Sequence, residues 1–237
     1  MNFLQIAKLL AREVDIAGTG PLSVLNQTGE FGNIVEWARE AYVDIQRSRG
    51  SRWRWLRREF TFNTTASDGV YAYGDVTDVV ASAVINRFDS WDLKDPYDPP
   101  KIYLTASGIS AQRWLSPLSW EAFKSLYRIG NGNTMTGAPV HISVDDADQI
   151  VLGPIPSDTY TITGRYKRGP QVLTTDADIP EMPEHFHKLI VWNAMLDYGY
   201  HQASAESLAR AQVRGKPLMR QLENRQLPAM RLSRALA

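Results

Sequence analysis

Two amphipathic helical stretches, one near the N-terminus and one beginning at Pro183, bracket about a hundred residues whose hydrophobic period is 2 instead of 3.6. A chain patterned this way leaves a helical layer, builds a sheet and returns to complete the helical layer. The fold class it specifies is α+β: a helical base with an inserted antiparallel β-domain. Beyond the returning helix runs a basic stretch with spaced leucines, too poor in apolar surface to make a core alone, which reads as an extended C-terminal tail. The divisions are 1–58 for the N-terminal helices of the base and 59–179 for the inserted domain with one short helix. Residues 180–204 form the returning base helix, and 205–237 a docking tail.

The first helix is expected over Asn2–Val14, with Phe3, Ile6, Ala7, Leu10 and Val14 on one face, and Gly18, Gly20 and Pro21 break it. The second starts at Thr28, a residue able to cap, with Glu30 in its first turn. Phe31, Ile34, Val35, Ala38, Ala41, Tyr42 and Ile45 make its buried stripe; Arg39, Glu40, Asp44, Gln46 and Arg47 take the other side. At the third, Pro183 suits a first helical position, where a missing N–H costs little. Phe186, Leu189 and Ile190 mark one face and Val191, Met195 and Tyr198 another, which makes it the central helix of the base.

Between the helices, alternation marks strands at Phe60–Phe62, Val70–Tyr73, Val84–Phe88, Lys101–Leu104, Val140–Val144, Gln149–Leu152 and Tyr160–Tyr166. The run from Asp145 to Asp148 is a hairpin turn, and connectors this short imply an antiparallel meander. One helix interrupts it at Pro117–Arg128, with Trp120, Phe123, Leu126 and Tyr127 inward.

Chemistry is mostly absent from the pattern. The chain has no cysteine, no phosphate-binding glycine loop, no nucleophile elbow and no HExxH pair, so no catalytic, cofactor or metal residue is assigned and no enzyme is expected. His185 and His187, two apart, point to different sides of a helix. Asp89, Asp92, Asp95 and Asp98 lack the glycine and late glutamate of a calcium loop and read as a solvated acidic connector. No signal peptide is read at the N-terminus and no apolar run reaches bilayer length, so a soluble chain without a membrane partner is expected.

Charge is unevenly spread. From Ala205 onward there are seven basic and two acidic residues, net +5; the rest carries 19 basic and 24 acidic, net −5. Such a tail suits docking to an acidic surface, of protein or nucleic acid. Its candidate docking residues are Leu208, Arg210, Arg214, Leu218, Arg220, Leu222, Arg225, Leu227, Arg231 and Arg234, with Pro217 and Pro228 dividing it into pieces. A second basic cluster, Arg47, Arg49, Arg52, Arg54, Arg57 and Arg58, is interleaved with Trp53 and Trp55. It admits two readings: a nucleic-acid module whose cations meet phosphate and whose indoles stack bases, or core tryptophans with arginines outside them at a subunit interface or facing DNA. A lectin-like use of Trp91, Tyr97 and Trp114 is a third reading, without a supporting carboxylate pair.

The ordered series IVEWAREAYVDIQ, WRWLRREFTF, GAPVHISVDDADQIVLGPIPSDTYTITGRYKRGP and IPEMPEHFHKLIVWNAMLDYGY resembles the tailed-bacteriophage head-to-tail adaptor (connector) proteins, the podovirus-type adaptors in particular. The residues that carry the resemblance are Leu152, Pro154 and Pro156, then Tyr166, then Pro183, Phe186, His187, Leu189, Ile190 and Ala194, across residues 28–202. The resemblance implies a structural virion protein at the head-tail junction, assembled in the host cytoplasm. It implies a ring of about twelve copies below the portal protein, closed by rotational symmetry. Its partners would be the portal, tail or nozzle proteins and further copies of itself. Genomic DNA would slide through without sequence-specific binding, and the C-terminal segment would embrace the portal.

Overall fold

The computed structural model describes residues 1–95 and 98–227. Five helices occur among them: α1 (Phe3–Glu13), α2 (Gly29–Arg47), α3 (Trp120–Tyr127), α4 (Lys188–His201) and α5 (Ala205–Gln226). The chain divides into two compact units, one made of Met1–Leu56 with the residues from Pro170 onward, the other of Arg57–Gly169.

The first unit is the helical base. Asn2 starts α1 with a reciprocal cap: its side chain accepts from the Gln5 N–H at 2.9 Å, and the Gln5 side chain accepts from the Asn2 N–H at 3.0 Å. The apolar stripe of α1 buries Phe3, Ile6, Ala7, Leu10 and Ala11, and α2 buries Ile34, Val35, Ala38, Ala41, Tyr42 and Ile45. Thr28 precedes α2 in extended conformation, but its side chain makes no capping bond. Helix α4 is apolar around much of its circumference and packs on α1, α2 and α5, as a central helix must. Pro183 opens a single 3-10 turn at Glu184–Phe186 ahead of α4, so it caps the turn and does not sit inside the helix.

Gln46 corrects the pattern reading of α2. It was expected on the solvent side, yet it is fully buried. Its amide donates to the Gln171 carbonyl at 2.9 Å and accepts from the Gln171 N–H at 2.8 Å. A side-chain amide here replaces the backbone partner that the strap 170–183 lacks, which is why a polar residue is tolerated in the core. The same strap is held by Tyr42, whose hydroxyl donates to Gln171 Oε1 at 2.9 Å and accepts from the Glu181 N–H at 2.9 Å. Leu173 is buried in the base core beneath it.

The largest departure lies at the C-terminal stretch. The described part of the expected tail is one helix, α5, laid along α4. Leu208, Ala211, Gly215, Leu218 and Leu222 recur at 3- and 4-residue spacing, and Ala211, Gly215 and Leu222 are buried. Reading leucines alone gives a partial stripe; the small residues complete it by letting the two helices approach. A Cβ at Gly199 would stand 2.8 Å from the Leu208 side chain, and one at Gly215 would stand 3.3 Å from Trp192 Cβ. Pro217 does not break α5, because it lies on the exposed side, where water can serve the carbonyl left without an N–H partner. Pro228, Arg231 and Arg234 lie outside the described residues.

Among the described residues the second unit holds thirteen strands: β1 (Arg57–Asn63), β2 (Val70–Tyr71), β3 (Thr77–Asp78), β4 (Ala83–Val84), β5 (Phe88–Trp91), β6 (Lys101–Leu104), β7 (Arg113–Trp114), β8 (Ser116–Pro117), β9 (Thr136–Gly137), β10 (His141–Val144), β11 (Ile150–Gly153), β12 (Ile155–Pro156) and β13 (Tyr160–Arg168). The main sheet runs β4-β3-β1-β13-β6-β7, with β5 also on β13; a second runs β2-β11-β10-β8, and β12 pairs β9. This is not the simple meander expected. The first and last long strands are partners, Arg57 opposite Lys167 through Asn63 opposite Thr161, and two short pairs, β8 with β10 and β9 with β12, are parallel. Sequence-local alternation cannot reveal a pairing between strands some hundred residues apart. The β10–β11 hairpin does form, with the Asp145 carboxylate accepting from the N–H groups of Ala147 and Gln149 at 2.9 and 2.8 Å.

Phe60, Ile102, Ile142, Ile150, Ile162 and Tyr166 centre this unit's core. Tyr166 donates its hydroxyl to Asp78 Oδ2 at 2.5 Å, and Asp78 Oδ1 accepts from the Val80 and Ala81 N–H groups. Helix α3 is capped by Ser119 and buries Phe123, but Leu126, expected inward, is exposed.

Candidate assembly surfaces

The basic stretch after α2 divides between the units. Arg47, Arg49, Arg52 and Arg54 belong to the base, and Arg57 and Arg58 open β1. Arg47, Arg52 and Arg54 are exposed, whereas Arg49 pairs with Glu223 of α5 at 2.7 Å. Arg57 approaches Asp92 at 4.0 Å. The interleaved tryptophans are structural. Trp53 is fully buried and its indole N–H donates to the Ile45 carbonyl at 2.8 Å; Trp55 stacks on it at a ring separation of 4.9 Å. Trp53 thus has no face free for a nucleobase, and one face of the half-buried Trp55 is taken up by Trp53, which weakens the single-strand reading.

The docking candidates on α5 sort by direction. Leu222 is fully buried, and Leu218 and Leu227 pack against the base core. Leu208 covers Gly199. Leu222 is thus committed to the base, and Leu208, Leu218 and Leu227 are partly covered by it, so exposing them would cost burial that holds α5. Arg210 reaches Glu13 of α1 at 2.6 Å, and Arg225 meets His185 at 2.9 Å and lies over the Phe186 ring. Arg214 and Arg220 are exposed cations on the outside of α5.

Three aspartates of the 89–98 stretch, Asp92, Asp95 and Asp98, join ion pairs, whereas Asp89 accepts from the Ser90 hydroxyl. Asp98 pairs with Lys101 at 2.8 Å and with Arg165 at 2.8 Å, and Asp95 with Arg165 at 3.5 Å. Among the described residues there is no group of three or more His, Cys, Asp or Glu side chains able to hold a metal ion. His187 is buried between the Met182 carbonyl at Nε2, 2.9 Å, and the Met1 amine at Nδ1, 3.0 Å. Burial lowers its pKa, so the neutral ring donates from Nε2 and accepts at Nδ1. Of the aromatics considered for glycan binding, Trp91 donates to the Asp148 carbonyl at 2.7 Å and packs on Phe60, Trp114 is exposed beneath Lys101, and Tyr97 lies outside the described residues.

One feature was not read from the sequence. Glu40 and Asp44 of α2 and Asp197 of α4 form an exposed group of carboxylates. Partial burial and then the charges of Asp44 and Glu40 push the Asp197 carboxyl above its ordinary pKa. The signal was an i,i+4 acid pair on α2, but its third member depends on how α4 packs.

These surfaces suit assembly: a bundle with charged flanks, and a sheet domain whose polar faces carry ion pairs. The chain matches the SU10 adaptor protein family over residues 1–234, and it belongs to that family. It is a bacteriophage structural protein of the virion, an adaptor that associates with other phage structural proteins. No curated protein matches the chain. No helix among the described residues is long and apolar enough to cross a membrane.

Proposed function

We propose that the protein assembles as a ring of about twelve copies, closed by rotational symmetry, beneath the portal at the head-tail junction. The ring extends the DNA channel and offers a platform to tail proteins. The observation that carries this reading is membership of the adaptor family over nearly the full chain. A zero formal net charge and the burial of Trp53 agree with DNA that slides past without being gripped. Because the α5 leucines are spent on the base, docking to the portal falls to the segment beyond Leu227, which carries Arg231 and Arg234.

Negative-stain electron microscopy of the purified chain, alone and with its cognate portal, tests this. The expected result is rings stacked on the portal. A chain truncated after Leu227 keeps α5, so it should retain its helical circular dichroism and lose portal stacking. Deletion from Ala205 is the wrong control, since it removes the fourth helix of the base. Failure of the intact chain to associate with the portal under assembly conditions refutes the reading. Tight, steeply salt-dependent DNA binding abolished by reversing Arg52, Arg54 and Arg57 would move the nucleic-acid reading to the front.

A further inference from the structure

The outward side of α5 joins charge to an apolar centre. Val213 is 71% exposed, Pro217 stands one turn further on, and Arg214, Lys216 and Arg220 flank them. Arg214 and Arg220 make no ion pair among the described residues, unlike Arg210, which pairs with Glu13, while Arg225 is held by the His185 ring. Elsewhere on the base, Glu40, Asp44 and Asp197 are likewise without a cationic partner among the described residues; Glu36 is the acid of α2 that finds one, in Arg39. The cations of α2 are Arg39, taken up by Glu36, and Arg47, three residues beyond Asp44; neither figures among the charges that Asp197 senses. Tyr200, 70% exposed, lies three residues beyond Asp197 on α4 and supplies an apolar centre to the acidic surface. Both α2 and α5 pack on α4, so the two surfaces occupy different flanks of one bundle.

Two different, mutually complementary surfaces on one body make a head-to-tail contact, which closes into a ring when the rotation permits. We propose that α5 of one copy lies on the α2–α4 surface of the next, with Arg214, Lys216 and Arg220 facing Glu40, Asp44 and Asp197, and Val213 and Pro217 seated against Tyr200. The proposal rests on the ring reading above and names the contact that would close it. The occupant is a second copy because the chain itself carries the opposite charge in the matching setting, a cationic apolar ridge against an anionic aromatic one. The like charges within each surface repel in the free chain and are relieved only by the partner, which favours this pairing over others.

Charge reversal in both directions tests it, in the full-length chain with the cognate portal and with ring yield read by mass photometry and negative-stain microscopy. Glu40→Lys with Asp44→Lys, and separately Lys216→Glu with Arg220→Glu, are exposed changes that should leave the fold intact by circular dichroism. Each pair should reduce ring yield at least about tenfold, since it brings like charges face to face across the contact. Combining all four should restore it. The chain has no cysteine, so Asp44→Cys with Arg220→Cys gives an independent reading: a short bismaleimide should link neighbouring copies into ladders within assembled rings. A ring yield unchanged by either reversal, or not recovered by the combination, overturns this contact while the wild-type rings leave the ring reading intact. A wild-type chain that forms no ring with the portal overturns both.

Discussion

Replacing Leu222 by alanine separates a helix that belongs to the base from a tail that waits for a partner. Leu222 is fully buried in the base core. Truncation removes the equivalent of three methylene groups, about 2.5 kcal/mol of transfer free energy. The cavity left behind raises this to about 3–4 kcal/mol, because neighbours close only part of it. For a unit between the 100- and 150-residue classes, that lowers the melting temperature by roughly 10–15 °C. Far-UV circular dichroism of the isolated full-length chain is the assay, since four of its five described helices sit in the base and report that unit's unfolding. Val213→Ala is the internal control: Val213 is 71% exposed on the same helix and should move the transition by less than about 2 °C. The reasoning fails if Leu222→Ala melts like Val213→Ala, because a docking tail would lose nothing before meeting its partner.

Gln46→Leu should destabilise the base by about 2–4 kcal/mol and raise amide exchange over Gln171–Leu173, since it strands a buried N–H and a carbonyl together; protection factors by hydrogen-exchange mass spectrometry check this. Gly199→Ala places a methyl 2.8 Å from Leu208 and should cost about 1–3 kcal/mol, measured by urea unfolding, with Leu208→Ala recovering part of the loss. Asp178 accepts foremost from the Thr175 hydroxyl, then from the Thr175 and Thr174 N–H groups, which holds its pKa at about 2. A depressed carboxylate pKa stabilises the fold above the ordinary value and loses that contribution as pH falls through the folded one. After discounting for solvent screening, about 1 kcal/mol should therefore disappear between pH 4 and about pH 2, and Asp178→Asn should flatten that part of the pH-stability curve. Tyr166→Phe removes the hydroxyl donor to Asp78 and should cost about 1–3 kcal/mol in chemical denaturation of the sheet unit; an unchanged midpoint would count against a structural role for that bond.

Much of this fold could be read from periodicity because its helices bury simple stripes. Phe3 to Leu10 and Ile34 to Ile45 announce their faces, and the multi-sided apolarity of Leu189 to Tyr198 announces a central helix. What escaped depends on contacts distant in sequence. Gln46 looks like a surface residue until Gln171 returns beside it. The small residues Gly199, Ala211 and Gly215 carry no hydrophobic signal, yet they set how closely α5 lies on α4. Strand positions were visible in alternation, but the β1–β13 pairing was not, since nothing local in Phe60-Thr61-Phe62 names Ile162 as its neighbour. For the assembly surfaces, sequence order carried the family, whereas the direction each basic side chain faces required the packed helices. Arg214 and Arg210 look alike in the sequence; one points outward and the other is tied to Glu13.

The β1–β13 pairing has a consequence for how such a chain can change. The residues at which the sheet unit is entered and left, Arg57 and Lys167, sit opposite one another across an antiparallel ladder, where partner Cα atoms are roughly 5 Å apart. Entry and exit so close together make the unit a cassette, inserted into the chain of the helical base through two neighbouring crossings. A short Gly-Ser bridge between Leu56 and Pro170 should replace the cassette at little entropic cost and leave α1, α2, α4 and α5 folded. Lengthening, trimming or exchanging the sheet cassette would then alter what a virion presents to its tail while leaving the scaffold that carries it undisturbed.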